Sequence, residues 1–263
     1  MNVTTRIAPA ASPHPGVSAE EWQVRCDLAA LYRLVAHFKM TDFIYTHISA
    51  RLPGPDHHFL INDYGTMFHE MRASDLVKID LEGNRIETPG ITAAKVNQAG
   101  FTIHSAIHMA RPDLMAVIHT HTAAGIAVAA QEQGLLPISQ HAMKFYGCLS
   151  YHGYEGIALD LDERDRIVAD LGQNKAMILR NHGLLVGGRT IPEAFHEIYF
   201  LERACQAQVA ALSGGVKLVI PPREVCEHTA AQFSRDTDNR MAHYEMAWQS
   251  ALRLIEADGA YRT

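Results

Sequence analysis

The chain is poor in several features that would mark a specialised setting. It has four cysteines in 263 residues (Cys26, Cys148, Cys205 and Cys226), and no two form a CxxC pair. Widely spaced single thiols do not make a disulfide scaffold, and they fit a reduced, cytoplasmic setting. No run of 18 apolar residues occurs, so no membrane-spanning helix is expected. Residues 1–17 lack the apolar block of a secretory signal, and their Pro, Ala, Ser and Thr content reads as a mobile arm. Excess positive charge is also missing. With 29 acids against 23 bases the net charge is −6, which argues against a protein that coats nucleic acid. Neither nucleic acid nor membrane is expected among the partners. What is present is an ordinary core-forming composition, 48% hydrophobic and 20% charged, with one oddity: 16 histidines. Histidine is the commonest metal ligand and the side chain that titrates near neutrality, so the question is whether these histidines cluster.

Hydrophobic spacing places the elements. Ser18 and Glu21 form a capping box ahead of a helix over 18–40, carried by Leu28, Leu31, Leu34 and Val35. Strands are expected over 43–52 and 57–62, on either side of Pro53-Gly54-Pro55. A hairpin is expected from 76–80 to 85–87 around Glu82-Gly83-Asn84. A helix over 96–110 stops before Pro112, and a strand follows over 114–120. Further on come a small-residue helix over 122–131, a strand-like stretch over 142–149, and a helix over 162–171 with Asp162 as its cap. Two short strands, 176–179 and 184–186, hinge at Asn181-His182-Gly183. A long helix over 191–212 opens at Thr190 and ends at Gly214-Gly215, and 223–256 is mostly helical. Strands and helices interleave without internal repeat or long linker. The reading is one α/β domain over 18–263, a mixed sheet covered by helices, with a helical C-terminal extension.

Two motifs carry chemistry. In Val117-Ile118-His119-Thr120-His121 the two histidines lie two apart on a strand, so both imidazoles point to one face. That is a rigid way to supply two metal ligands, although an HxH triplet also arises by chance in a histidine-rich chain. In Leu179-Arg180-Asn181-His182-Gly183-Leu184-Leu185 a histidine sits at a tight turn, with a glycine that permits close backbone approach. A lone histidine there is either structural or a third ligand.

These two motifs, with Ala110-Arg111-Pro112-Asp113 leading into the first, make the sequence similar to the class II aldolase/adducin family. The resemblance extends more weakly from Ser18 to about Gly214. It implies a three-layer α/β/α sandwich around a largely antiparallel sheet. It implies a divalent metal, usually zinc with manganese and iron as alternatives, held by His119, His121 and His182. It also implies a homo-oligomer, commonly a cyclic tetramer with the site near a subunit interface.

The chain departs from the sugar-phosphate aldolases at three places. Their catalytic acid, about 19 residues before the HxH, falls here at Gly100 within Gln98-Ala99-Gly100, while His104 keeps the register. Without that carboxylate the enediolate mechanism lacks its acid/base group. The phosphate-cradling segments align with His47 and with Tyr64-Gly65, so an unphosphorylated substrate is expected, contacted by His47, Tyr64, Gly65, Gln98 and His104. A tyrosine that the aldolases lend from a neighbouring subunit falls near His141, which either replaces the acid/base group or is structural. In these respects the chain is closer to the adducin-like branch. Glu70 is read as a fourth ligand or proton carrier, or else as a solvated loop acid. Arg180 either holds a substrate carboxylate or pairs with a structural acid. Tyr151, Tyr154 and Glu155 either line a substrate mouth or pack as a loop, and His196 reads as a packing residue. The function expected is a metal-dependent lyase, aldolase or decarboxylase, acting on a small carboxylate of the 2-oxo or 2-hydroxy acid class. The alternatives are an iron oxygenase acting on an aromatic 2-oxo acid and a metal-stabilised oligomeric scaffold.

Overall fold

The computed structural model describes residues 12–93, 95–157, 162–234, 237–257 and 259–263. Seven strands, β1 (His47–Arg51), β2 (Phe59–Asn62), β3 (Leu76–Ile79), β4 (Ala116–Thr120), β5 (Leu149–His152), β6 (Ala176–Leu179) and β7 (Gly183–Gly188), form one sheet in the order β3-β2-β1-β4-β7-β6-β5. Every neighbouring pair is antiparallel except β5 and β6, which run parallel.

Side-chain alternation along the strands explains the layers. Ile48, Ala50, Ile118, Leu184 and Val186 point to one face, under α1 (Ala19–His37) and the long α6 (Ile191–Ser213). Val117, Met177, Leu179 and Leu185 point to the other, under Ile103 and Ile107 of α2 (Gln98–Ala110) and Ile167 and Leu171 of α5 (Glu163–Leu171). Phe101 extends that second layer over Phe59, Ile61, Val77 and Ile79. The result is the expected helix–sheet–helix sandwich. Two short helices, α3 (Ala123–Ala129) and α4 (Gln140–Met143), bridge β4 to β5. At the C-terminal end, α7 (Arg223–Ser234) and α8 (Thr237–Leu252) follow α6, and α8 sends Trp248 and Ala251 into the main core.

Local chemistry sets the ends of the elements. Ser18 Oγ accepts the Glu21 N–H at 3.1 Å, so half of the capping box forms. The Glu21 carboxylate turns instead to Arg25 and Lys78. Three other expectations are corrected. The stretch 142–149 is not a strand. Ser139 caps α4 through the Ala142 N–H, Phe145 drops into the core, and β5 starts only at Leu149, where parallel pairing with β6 begins. Residues 85–87 make one bridge, Ile79 to Arg85, in place of a second hairpin strand. Asp162 precedes α5 in a helical conformation and its side chain makes no capping bond. Of the expected arm, residues 1–11 lie outside the described residues. Val17 is buried beside Trp22, Cys26 and Ala73, and the His14 ring lies 5.0 Å from that of Trp22.

Candidate metal centre

Antiparallel pairing brings the end of β4, the start of β1 and the β6–β7 turn to one edge of the sheet. His119 is the penultimate residue of β4, flanked in register by His47 on β1 and Leu185 on β7. His121 follows just beyond the strand. His182 comes from the turn, where Asn181 adopts φ 56° and donates its N–H to the Ala129 carbonyl. Asparagine tolerates this left-handed conformation better than most residues. Gly183 is demanded by space: a Cβ there would lie 2.2 Å from the Thr120 carbonyl oxygen and 3.2 Å from the His121 ring. Any side chain would pry β7 off β4 where the imidazoles meet.

The three rings converge through their Nε2 atoms. His119 Nε2 lies 2.8 Å from that of His121 and 3.2 Å from that of His182. The opposite nitrogens of two rings are held by acceptors. His119 Nδ1–H donates to the Leu184 carbonyl at 2.9 Å, and His121 Nδ1–H to Asp42 Oδ2 at 3.0 Å. A proton fixed on Nδ1 leaves the Nε2 lone pair free and aimed inward, the tautomer that a metal ligand needs. Burial, followed by the neighbouring His182 and His121 rings, holds His119 well below the usual imidazole range. Burial brings His182 down to about 4. Neutral imidazoles with facing lone pairs repel one another unless a cation lies between them. Zinc–nitrogen bonds of ~2.0–2.1 Å in a tetrahedron put two nitrogens roughly 3.3 Å apart. The 3.2 Å pair fits that edge and the 2.8 Å pair needs a small opening. Among the described residues, these three are the potential ligands gathered into one group, and no carboxylate or thiol joins them.

Gly100 lies on α2 directly over His47. A Cβ at 100 would meet His47 Cδ2 at 2.1 Å, so the imidazole occupies the space into which an acidic side chain would project. His47 is buried, its Nδ1 lies 3.0 Å from Asn62 Oδ1, and burial lowers it to about 4. The backbone that presents it is strained: Thr46, β-branched, sits at φ 72°, and Phe43 at φ 52°. Deeper under α2, Ser49 Oγ bridges His104 Nδ1 at 2.6 Å and His108 Nε2 at 2.7 Å.

Comparison with known proteins agrees with this geometry. Residues 26–209 match the model of the Class II Aldolase and Adducin N-terminal domain. The chain belongs to that family. A Caulobacter vibrioides protein, whose name assigns it only provisionally to the class 2 aldolases, is 58% identical over 243 residues, 92% of each chain. The solved structure of an aldolase II superfamily protein from Pseudomonas syringae is 53% identical and superposes with a TM-score of 0.87, covering 94% of this chain and 98% of that one. The L-fuculose 1-phosphate aldolase from Glaciozyma antarctica PI12 is 28% identical with a TM-score of 0.81, covering 97% and 98%.

Against this class II aldolase/adducin framework the other expected site residues separate. Tyr64 and Gly65 form the turn after β2, at the same edge of the sheet as the three histidines. Tyr64 N–H donates to Lys95 O at 2.8 Å, and Gly65, at φ 109°, faces open space. Gln98 opens α2, and its side chain lies outside the described residues. His104 is fully buried against Ser49. Arg180 turns away: its guanidinium donates to the Gln131 and Glu132 carbonyls and stacks 4.3 Å from the Tyr151 ring. Glu70 is exposed and its carboxylate accepts the Met67 N–H at 2.9 Å, closing a local turn. His141 stacks on Phe200 of α6, and His196 packs between Phe200 and Tyr244.

Sequence reasoning missed Asp42, Asn62 and the His152–Asp170 pair, in which His152 Nδ1 lies 2.7 Å from Asp170 Oδ2. Asp42 is 79 residues from its partner His121. The available signal was topological: once β1 is antiparallel to β4, the residues preceding β1 must lie beside those following β4.

Proposed function

We propose that the chain is a metal-dependent lyase that breaks a carbon–carbon bond, by aldol cleavage or decarboxylation, in an unphosphorylated 2-oxo or 2-hydroxy acid. One observation carries this reading: three Nε2 atoms converge at the sheet edge, two of them oriented by the Leu184 carbonyl and the Asp42 carboxylate. A divalent cation held by His119, His121 and His182 would supply Lewis acidity toward a carboxylate and its neighbouring oxygen, with coordination positions left for them. Asp42 keeps His121 in its ligating tautomer. His47 takes the place of the aldolase acid above Gly100, where it excludes water and presents a ring edge to the bound acid. The phosphate-cradling role is given up, since His47 and Tyr64 fill the segments that would serve it.

Elemental analysis of purified protein and of His119→Ala tests the reading. Wild-type protein is expected to carry about one equivalent of zinc, manganese or iron, and the variant none. Full metal content in His119→Ala would show that the ion binds elsewhere. Iron together with oxygen uptake on an aryl-pyruvate would replace the lyase reading with oxidative cleavage.

A further inference from the structure

A narrow cleft opens between residues 153–156 after β5, α5 and the β6–β7 turn, with His182 in its lining. Its apolar floor is Ile103, Ile167 and Leu179, and His182 forms the wall shared with the metal centre. Two buried polar side chains face it. His152 is 3% exposed and is held through Nδ1 by Asp170 at 2.7 Å, while its Nε2 has no hydrogen-bond partner. Glu163 is 7% exposed, with its Oε1 3.4 Å from His152 Nε2. Tyr154, more than half exposed, stands at the rim with its ring 6.3 Å from that of His182.

Burying an imidazole nitrogen that makes no hydrogen bond among the described residues, 3.4 Å from a carboxylate, is costly. The pair has one donor-or-acceptor nitrogen beside one acceptor oxygen. With Nε2–H as donor, a single hydroxyl accepts from it and donates to the Glu163 carboxylate, which satisfies both. An aryl ring satisfies neither. A phosphate or second carboxylate would face Glu163, Glu155 and Asp170, while the nearby cations are engaged: Arg166 by Glu155, and Arg180 by the Gln131 and Glu132 carbonyls. The space enclosed there holds about one water-sized group, so it accommodates a single hydroxyl of a ligand whose remainder lies toward the open rim.

We infer that this cleft is the subsite for the metal-distal end of the substrate, and that it selects a hydroxylated chain through His152 and Glu163. The inference rests on the metal-anchored acid of the preceding section and narrows its substrate class to polyhydroxy acids. Titration calorimetry on the metal-loaded protein tests it. The probes are oxalate, 2-hydroxypentanoate, its 3-, 4- and 5-hydroxylated counterparts, and 2-hydroxy-3-phenylpropanoate. At least one hydroxylated acid is expected to bind about tenfold more tightly than 2-hydroxypentanoate, with the phenyl acid weakest. In Glu163→Gln that preference is expected to fall to about twofold or less. The wild-type series needs no variant to fold. Oxalate binding with no preference among the longer acids, or with the phenyl acid tightest, overturns this inference alone. No oxalate binding overturns the metal-anchored reading and this inference with it.

Discussion

Two groups of histidines lie within a few residues of each other, one above the other along β1, β4 and α2, and they are built to opposite ends. At the sheet edge, His119, His121 and His182 turn their Nε2 atoms toward one another, and the fold spends hydrogen bonds only on the far nitrogens of the first two. Under α2, His47, His104 and His108 spend ring nitrogens on Asn62 and Ser49, and burial keeps all three far below the usual imidazole range. The same side chain thus serves as a ligand where the fold leaves a lone pair exposed to a shared point. Around Ser49, His104 and His108 serve as neutral packing units, their ring nitrogens sharing one hydroxyl. Partner chemistry, more than the histidine count, divides the two groups.

The boundary between the groups is the Gly100–His47 contact, and breaking it is expected to have the largest effect. Gly100→Glu should destabilise the protein by about 3 kcal/mol or more in urea unfolding, because the new side chain collides with a ring seated on a strand. Adding His47→Gly should recover much of that loss, a coupling that a double-mutant cycle measures directly. Additive losses would mean that the contact is not the cause.

The ligand group is probed next through its support. Asp42→Asn should weaken metal affinity roughly 10–100-fold in chelator competition, since the carboxylate fixes the His121 tautomer. Ser49→Ala, which strips the inner group, should leave metal affinity within about twofold. Equal losses in the two variants would erase the distinction between the groups.

The inner group is also probed through pH dependence. His108 sits at about 3 in the folded chain because burial disfavours its charge, against the usual imidazole value of 6.5. Above 6.5 neither state takes up the proton, and stability is unaffected. As pH falls from 6.5 toward 3, the unfolded chain binds the proton and the folded chain does not. Stability should therefore decline by up to about 1.4 kcal/mol per pH unit from this residue. His108→Asn should flatten that slope in urea midpoints taken between pH 6.5 and 4. An unchanged slope would show that the inner group does not resist protonation.

The layered fold was legible because its signals are local and periodic: Leu28, Leu31 and Leu34 on one helix, alternation around Val117 and His119 on one strand, and caps at Ser18 and Thr190. The three converging histidines were legible for the same reason, together with the family pattern. The misread stretch 142–149 has apolar residues spaced for either structure, and the Ser139 cap decided it. Asp42, Asn62 and Glu163 were not legible as site residues. Asp42 acquires its role from a partner 79 residues away, across the β1–β4 pair, while Asn62 and Glu163 meet partners on a different element that no local periodicity links to them. Arg180 shows the converse: its place beside the metal turn suggested a substrate contact, but the carbonyls after α3 claim its guanidinium first.

The fit of His47 over Gly100 also bears on how such a chain can change over generations. With a ring 2.1 Å from where a Cβ would begin, an acidic residue at 100 collides with histidine at 47. Moving between the two arrangements takes two substitutions. The order that avoids a collision passes through a chain with a small residue at both positions and a hollow beside the metal centre. Such a hollow weakens packing and admits water, so the intermediate is penalised from either side. An acid at 100 and an imidazole at 47 are therefore alternatives for one space, and this scaffold holds one or the other.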